Sequence, residues 1–277
     1  MALLEPLPRP TANDIFRGDL CKNHHTCVIM RPKLVLVAVI VAVVVLIALL
    51  LVVVSPPEHY EPGANAAREP SEMPKMEPGG RLKLPEPRYA SNTSVEAALA
   101  QRRSLRAYSG DALTIEELAQ LLWAAQGVTT TWGGRTAPSA GALYPLELYV
   151  VVGTVTGLDA GVYRYRPATH ELEKRREGDL RAELAEAALS QGCIGSAAID
   201  LVFCGVFNRT TVKYRERGIR YVYMEVGHAA QNVYLQAESM DLGTVTIGAF
   251  DDAEVQQLVG MQEQERPLCI MPVGRKG

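Results

Sequence analysis

The first chemically distinctive segment of the chain, residues 102–106, reads Arg-Arg-Ser-Leu-Arg. Each guanidinium offers a planar set of N–H donors that matches the oxygens of a phosphate. Clustered charges are more often a solvated basic turn. The segment is nevertheless a candidate phosphate site, with donors from Arg102, Arg103, Ser104 and Arg106.

Small residues mark two further candidate ligand segments. Residues 138–145 read Pro-Ser-Ala-Gly-Ala-Leu-Tyr-Pro, and residues 247–252 read Ile-Gly-Ala-Phe-Asp-Asp. Small side chains let a planar ligand approach the backbone closely, although each segment could also be an ordinary turn. The C-terminal Arg275 adds a cation. These segments contribute seven candidate residues: Pro138, Ser139, Ala140, Gly141, Gly248, Ala249 and Arg275.

Lys213 and Tyr214 form a candidate proton-transfer pair, because a neutral lysine can act as a general base. The alternative is a surface lysine beside a packing tyrosine. No Gly-x-Gly-x-x-Gly follows a predicted strand, and the chain contains no Gly-x-x-x-x-Gly-Lys-Ser/Thr. A nucleotide-like cofactor would therefore be held by other means.

The elements that would position these residues alternate irregularly along the chain. Capping-box patterns at Thr93 and Thr114 predict two helix starts, the first helix running to residue 102 and the second ending at Gly127. Two more helices are predicted at residues 180–189 and 221–240, the latter with Gly227, Ala229 and Ala230 on its surface. Apolar runs predict strands at residues 147–152, 161–166, 199–207, 244–247 and 268–273. Together they indicate an α+β fold with a mixed central sheet flanked by helices.

The N-terminal third has a different character. Residues 34–54 contain only Leu, Val, Ile and Ala, which is long enough for a helix to cross a membrane. A cleaved signal peptide would have a shorter apolar run with a cleavage site close behind it. We therefore predict a tail at 1–33, a transmembrane anchor at 34–54, a Pro/Glu-rich linker at 55–90 and a folded domain at 91–277. Met30 is an alternative start, which would make residues 1–29 an over-extension.

The charged residues bear on the partners of the protein and on the orientation of the predicted anchor. Lys and Arg number 28 against 31 Asp and Glu, so nucleic acid is not an expected partner. Arg31 and Lys33 precede the apolar run, which predicts a cytoplasmic N-terminus and an extracytoplasmic domain.

Cys193, Cys204 and Cys269 are odd in number and are expected to be buried thiols. The Cys and His residues of 21–27 are ligand types, but their composition alone does not support a metal site.

Six segments, taken in order, resemble the nitroreductase family, and within it the SagB-type branch related to thiazole/oxazole dehydrogenases. The resemblance covers nearly all of residues 93–277. Its carriers are Arg-Arg-Ser-Leu-Arg (102–106), Leu-Leu-Trp-Ala-Ala-Gln-Gly (121–127), Pro-Ser-Ala-Gly-Ala-Leu-Tyr-Pro (138–145), Lys213-Tyr214 with Arg217-Gly218, Glu-x-Gly-His-x-Ala-Gln-Asn (225–232) and Gly-Ala-Phe-Asp-Asp (248–252).

The resemblance implies a nitroreductase-like fold with an FMN bound at a homodimer interface. One group would hold the phosphate and the pyrimidine edge of the flavin: Arg102, Arg103, Ser104 and Arg106. A second group would come from the other subunit and line the ring: Pro138, Ser139, Ala140 and Gly141. Gly248 and Ala249 would lie near the flavin N5, and Arg275 would reach the phosphate. In azoline-oxidising relatives, a Lys-Tyr pair at the position of Lys213-Tyr214 is implicated in proton removal.

Three functions remain open from the sequence. The leading one is a membrane-anchored FMN oxidoreductase that passes two electrons between a donor, with NAD(P)H as a candidate, and a small-molecule or peptide substrate. The second is a SagB-like azoline or peptide dehydrogenase that uses Lys213-Tyr214. The third, of another class, is a non-catalytic flavin-binding membrane protein. An extracytoplasmic domain would lack access to NAD(P)H, so the predicted topology and this donor are in tension.

Overall fold

A computed structural model describes residues 40–41, 43–45 and 80–277. The chain divides into one unit at Met1–Glu61 and another at Pro62–Gly277. In the first unit, residues 40–41 and 43–45 are helical and exposed. The tail at 1–33 with its Cys/His segment, the rest of the predicted anchor, and residues 55–79 of the linker lie outside the described residues. Among the residues that are described, no helix has the length and apolar character needed to cross a membrane.

A seven-stranded sheet forms the centre of the second unit, in the spatial order β1-β4-β3-β2-β5-β7-β6. Its strands are β1 (Arg81–Lys83), β2 (Leu146–Val152), β3 (Gly161–Arg166), β4 (Glu171–Glu177), β5 (Ile199–Gly205), β6 (Leu242–Thr244) and β7 (Arg266–Arg275). All strand pairings are antiparallel. The prediction of a mixed sheet is therefore wrong. The order of apolar runs does not reveal strand direction, and short connections such as residues 167–170 join antiparallel neighbours.

The burial of each strand explains why some strands could be predicted from the sequence and others could not. Every residue of β5 is buried, as is all of β2 except Glu147, so both read as apolar runs. Strand β4 was not predicted, because its sequence Glu-Leu-Glu-Lys-Arg-Arg-Glu buries only Leu172. Strand β1 lies within residues 55–90, which were predicted to be linker, and it pairs with β4. The end of that segment is thus part of the sheet.

Helices cover both faces of the sheet. They are α1 (Val95–Gln101), α2 (Ile115–Gln126), α3 (Arg181–Ala187), α4 (Gly192–Ser196), α5 (Asn208–Tyr214), α6 (Arg217–Ser239) and α7 (Asp252–Val259). Side chains of α2 and α6 share one core with Leu201 and Phe203 of β5. The opposite core combines α3, α4 and α7 with Val202 and Cys204 of the same strand. This arrangement confirms an α+β fold with a helix-flanked sheet.

The two predicted capping boxes had different outcomes. Thr114 and Glu117 exchange side-chain and backbone hydrogen bonds at the start of α2, as predicted, and Gly127 ends that helix. The box at Thr93 is wrong, because the cap of α1 is Ser94, whose hydroxyl accepts the Ala97 N–H at 3.1 Å.

Two predictions about burial also have clear outcomes. Cys193, Cys204 and Cys269 are free and buried, as expected. Of the small residues expected on the surface of α6, Gly227 is exposed, but Ala229 and Ala230 are buried. These two alanines belong to the α2–α6 core. Gly227 is therefore the position at which another helix could approach α6 closely.

Candidate active site

All the predicted site residues except Arg275 fall into two groups around helix α6. The arginine group contains Arg102, Arg103, Ser104, Arg106, Gly248 and Ala249, together with Tyr234 of α6. The loop group contains Pro138, Ser139, Ala140 and Gly141, together with Lys213, Tyr214 and Glu225. Neither Tyr234 nor Glu225 was predicted as a site residue from the sequence.

Tyr234 organises the arginine group. The Arg102 guanidinium lies 5.0 Å from the centre of the Tyr234 ring, and the hydroxyl groups of Ser104 and Tyr234 are 3.2 Å apart. Tyr234 Oη also accepts the N–H of Thr246 at 2.8 Å. One side chain of α6 thus ties the segment after α1 to the segment that leads to Gly248.

The arginine group carries positive charge without a carboxylate partner. Within the described part of the chain, no ion pair involves Arg102, Arg103 or Arg106. Arg103 donates to the carbonyls of Ala100 and Arg102. Burial raises the pKa of the Cys193 thiol, and the charge of Arg106 opposes that rise. A phosphate dianion would supply the negative charge that this group lacks, so the residues fit the phosphate of FMN.

The segment at Gly248 is fixed on both sides and open in the middle. Before it, Ile247 exchanges backbone hydrogen bonds with Ile270. After it, the Ala249 carbonyl accepts the Gln191 side-chain amide at 2.9 Å, and Asp251 caps α7. A Cβ built on Gly248 would meet no atom within 4 Å. A planar group could therefore approach this backbone without displacing any described side chain.

Arg275 differs from the other predicted phosphate ligands. Its Nη2 lies 2.9 Å from Oε2 of Glu117, the same carboxylate oxygen that accepts the Thr114 N–H at the start of α2. Its charge is paired, so it does not add to the unneutralised charge of the arginine group.

The loop at residues 138–145 is strained. Three of its residues have positive φ: Gly141 at 65°, Ala142 at 53° and Tyr144 at 46°. For the two residues that are not glycine, this conformation costs about 1–3 kcal/mol each. The Tyr144 N–H donates to Ser139 Oγ at 2.9 Å, and Arg209 donates to the Tyr144 carbonyl at 3.0 Å. The surroundings therefore hold a conformation that the loop alone would not keep.

Lys213 and Tyr214 lie against this loop at Gly141. A Cβ built on Gly141 would come within 2.7 Å of Tyr214 Oη and 3.0 Å of Lys213 Nζ. Both side chains come from α5, a helix that was not predicted. Two motifs that are far apart in the sequence therefore meet at one glycine.

Glu225 is the buried carboxyl behind the same loop. It is 2% exposed, and its Oε1 has no hydrogen-bond partner among the described residues. Burial raises its pKa to about 7, while a hydrogen bond from Ser139 and the charge of Arg135 oppose that rise. A signal was present in the sequence, since Glu225 occupies the buried stripe of α6 with Val222 and Ala229.

The two groups lie on opposite sides of α6. Glu225 and Tyr234 are separated by nine residues, which corresponds to about half a turn of rotation and about 14 Å along the helix axis. A single flavin ring cannot lie against both groups of one chain. If all the predicted residues contact the same flavin, the two groups must come from different chains.

Comparisons with known proteins identify the family of this chain. Residues 99–275 match the Nitroreductase family. A Methanocaldococcus jannaschii protein named for the nitroreductases is 50% identical over 182 residues, which cover 66% of this chain and 91% of that protein. The microcin B17-processing protein McbC of Escherichia coli is 30% identical over 148 residues, 50% of this chain and 54% of McbC. A crystal structure of a nitroreductase-type protein from Ralstonia eutropha JMP134 has a TM-score of 0.64 at 32% identity, over 72% of this chain and 90% of that chain.

The chain belongs to the nitroreductase family, a family of FMN-dependent oxidoreductases. Its similarity to McbC confirms the predicted likeness to the SagB-type branch. The enzyme class predicted from the sequence is thereby confirmed as well.

Proposed function

We propose that this protein is an FMN oxidoreductase that works as a homodimer, each flavin lying between the arginine group of one chain and the loop group of the other. The observation that carries the proposal is the cluster of Arg102, Arg103 and Arg106, which has no carboxylate partner in the described residues and lies beside the open backbone at Gly248. Exposed Gly227 gives the two α6 helices a place to approach each other.

In this proposal the protein binds and orients while FMN, when bound, supplies the two-electron chemistry. Arg102, Arg103 and Arg106 hold the phosphate, and Gly248 leaves room for the ring. The loop at Gly141 would line the ring, and Lys213 and Tyr214 lie against that loop. Rigid placement of these groups matters, because small displacements of reacting groups reduce rates strongly.

The specific reaction that we favour is dehydrogenation of a small-molecule or peptide substrate, as in azoline oxidation. The supporting observation is the contact of Lys213 and Tyr214 with Gly141. Lys213 would take a proton from the substrate, and FMN, when bound, would supply the acceptor for the hydride from the adjacent substrate atom, so that the substrate loses two electrons and two hydrogens. Reduction of nitro or quinone acceptors with NAD(P)H as donor is the second candidate, favoured by the 34% identity to an NADPH-flavin oxidoreductase of Vibrio harveyi over 106 residues.

Purification of the full chain in an uncharged detergent tests the flavin site. We expect yellow protein with bound FMN, and the double variant Arg102→Ala/Arg106→Ala should weaken FMN affinity by about 100-fold or more, because two charge-assisted hydrogen-bond donors are lost. The control Arg81→Gln removes an exposed guanidinium at the far edge of the sheet and should leave the affinity unchanged. Colourless wild-type protein that does not take up added FMN would contradict the proposal.

Turnover separates the enzymatic functions from the non-catalytic one. FMN-loaded protein is reduced anaerobically and titrated with nitro, quinone and azole acceptors, and the oxidised protein is titrated with azoline peptides. Flavin that stays bound but exchanges electrons with none of these compounds would favour a non-catalytic flavin-binding protein. Lys213→Ala that leaves every active turnover unchanged would remove the case for the proton-transfer pair.

We also propose that residues 34–54 anchor the protein in a membrane, with the N-terminus in the cytoplasm. The support is the uninterrupted apolar run and the basic residues before it. Resistance to carbonate extraction tests the anchor. Protease digestion of intact cells tests the side, and cleavage of the domain only after lysis would overturn the proposed topology and remove the objection to NAD(P)H.

A further inference from the structure

A buried carboxyl without an ion pair lies behind the strained loop. Glu225 is 2% exposed and occupies the buried stripe of α6 with Val222 and Ala229. Within residues 80–277 it forms no ion pair, and its Oε1 has no hydrogen-bond partner. A carboxyl in such a place destabilises the fold compared with an apolar side chain. Buried acids of this kind are concentrated at functional sites, so the contacts of Glu225 indicate its role.

Two neighbours act on the Glu225 carboxyl. Burial raises the pKa of Glu225, and a hydrogen bond from Ser139 and the charge of Arg135 oppose that rise. The Arg135 guanidinium lies 4.4 Å from the centre of the Tyr144 ring, so Arg135 is held in the same loop group. Ser139 is half-buried. It therefore connects the buried carboxyl to the surface that the proposed function gives to the flavin.

The elements packed around this carboxyl carry few other titratable groups. Residues 118–126 of α2 and the whole of β6 have none. Glu147 of β2 is paired with arginines, and His228, the next turn of α6, is exposed. Lys213 and Tyr214 of α5 lie against Gly141. Ser139 and Arg135 are therefore the groups through which Glu225 acts on its surroundings.

The hydrogen bonds of Ser139 depend on the proton of Glu225. Ser139 Oγ accepts the Tyr144 N–H at 2.9 Å, which leaves it one O–H and one further lone pair. An ionised Glu225 can only accept, so the Ser139 O–H points inward and the lone pair faces outward. A protonated Glu225 donates to Ser139 Oγ, and the Ser139 O–H turns outward. One proton on the buried carboxyl thus converts Ser139 from an acceptor into a donor toward the surface.

A flavin that gains electrons favours the donor form of Ser139. Two-electron reduction makes the ring electron-rich, and fixed hydrogen-bond donors stabilise added negative charge. An ionised Glu225 would instead place a lone pair of Ser139, with a carboxylate behind it, against the ring. Reduction should therefore raise the affinity of Glu225 for a proton. That proton comes from solvent, stays on the carboxyl while the flavin is reduced, and returns to solvent on reoxidation.

We propose that Glu225 is a positioning residue that acts through Ser139 and couples reduction of the flavin to the uptake of a proton by the protein. The inference rests on the proposed function, because the loop group must lie against the flavin. The electrons come from the reductant and go to the flavin, while the only bond that forms in the protein is the O–H of Glu225. A merely structural Glu225 would not link the flavin potential to pH in this way.

Redox titration of the FMN-loaded full chain, in an uncharged detergent and at several pH values, measures this coupling. One hydrogen bond to a charged group corresponds to about a 10-fold change in the proton affinity of Glu225, whose pKa starts from about 7. Near pH ~7.5 the wild type should therefore take up about half a proton more per two electrons than Glu225→Gln. Ser139→Ala should lose the same amount, and the double variant no more, because both changes interrupt one path.

Two control variants separate this path from general effects. Ser104→Ala removes a serine hydroxyl from the arginine group, where its partner is Tyr234 and not a carboxyl. Glu116→Gln removes an exposed carboxylate from α2. Both variants should keep the pH dependence of the wild-type potential, even where Ser104→Ala weakens FMN binding.

Infrared difference spectra of the reduced and oxidised protein locate the proton. Near pH ~7.5 the wild type should gain the C=O band of a protonated carboxyl on reduction. The band should shift in protein with isotopically labelled glutamate and be absent from Glu225→Gln.

The outcomes separate the inference from the proposed function. Wild-type protein that binds no FMN defeats the proposed function and the inference with it. Bound FMN whose potential has the same pH dependence in wild type and Glu225→Gln overturns the inference alone. So does a pH dependence that Glu225→Gln removes and Ser139→Ala retains, because Glu225 would then act without Ser139.

Discussion

The arginine group and the loop group differ in how their side chains are satisfied. In the arginine group, Arg102, Arg103 and Arg106 have no carboxylate partner within the described residues, and Tyr234 contacts both segments of the group. In the loop group, a strained backbone is fixed by hydrogen bonds from within the chain, and one glycine accommodates Lys213 and Tyr214. The arginine group therefore lacks the negative charge that a ligand would supply, whereas the backbone of the loop group is already held in place by the chain itself. Unpaired cations suit the binding of an anionic ligand, and fixed side chains suit catalysis.

The strongest test of the loop group is Gly141→Ala. The new methyl group would lie 2.7 Å from Tyr214 Oη in a backbone of positive φ, so the loop or the pair must move. We expect turnover to fall by about 100-fold, with FMN affinity changed much less. Steady-state kinetics and flavin titration measure the two effects.

Gly178→Ala is the matched control. Gly178 also has positive φ, but a Cβ there would meet no atom within 4 Å. It therefore carries the backbone cost of the substitution without the contact at the site. Equal losses of turnover in the two variants would show that the organisation of the loop group is unimportant.

The variant Glu225→Gln tests the buried carboxyl of the loop group, because it changes how the free energy of unfolding depends on pH. Burial raises the pKa of Glu225 from its ordinary 4.5 to about 7, so the folded protein binds the proton more tightly than the unfolded chain. This contribution to stability is present below about pH 4.5 and is lost as the pH rises to about 7. The free energy of unfolding of the wild type should fall by about 2–3 kcal/mol relative to Glu225→Gln across that window.

Denaturant unfolding at several pH values measures this difference. Glu116→Gln, an exposed glutamate of α2, is the control and should follow the wild type. A constant difference between wild type and Glu225→Gln from pH 4 to 8 would mean that Glu225 does not hold its proton in the folded protein.

The variant Tyr234→Phe tests the arginine group, and we expect it to have the smallest effect of these variants. It removes the hydroxyl that accepts the Thr246 N–H and contacts Ser104, while keeping the ring beneath Arg102. We expect FMN affinity to fall by about 5-fold, roughly the value of one hydrogen bond, with the rate of bound enzyme nearly unchanged. A loss of turnover as large as that of Gly141→Ala would contradict the division into a binding group and a chemical group.

The arginine group was easier to predict than the loop group because its signal is local. Three arginines within five residues are visible in one segment. The meeting of Gly141 with Lys213 and Tyr214 depends on α5, whose sequence Asn-Arg-Thr-Thr-Val-Lys-Tyr buries only Thr210 and shows no apolar stripe. Its position is set by tertiary contacts such as the one at Gly218.

The fold, too, could be predicted from the sequence only where the signal is local. The buried strands β2, β3 and β5 were predicted within a few residues, since each is an apolar run or an alternating pattern. Their antiparallel pairing and the charged strand β4 were not, because both depend on neighbours distant in the sequence. Ser94, rather than Thr93, caps α1 for a comparable reason, because the two residues offer the same chemistry one position apart.

Helix α6 has a genetic consequence. Because its two sides carry different groups, each flavin site of the proposed dimer takes one group from each chain. A chain defective at Arg102 and Arg106 and a chain defective at Gly141 would then be inactive alone. Co-expressed, they would form mixed dimers in which one site combines two damaged groups and the other combines two intact ones. Two dead alleles would restore activity to one another.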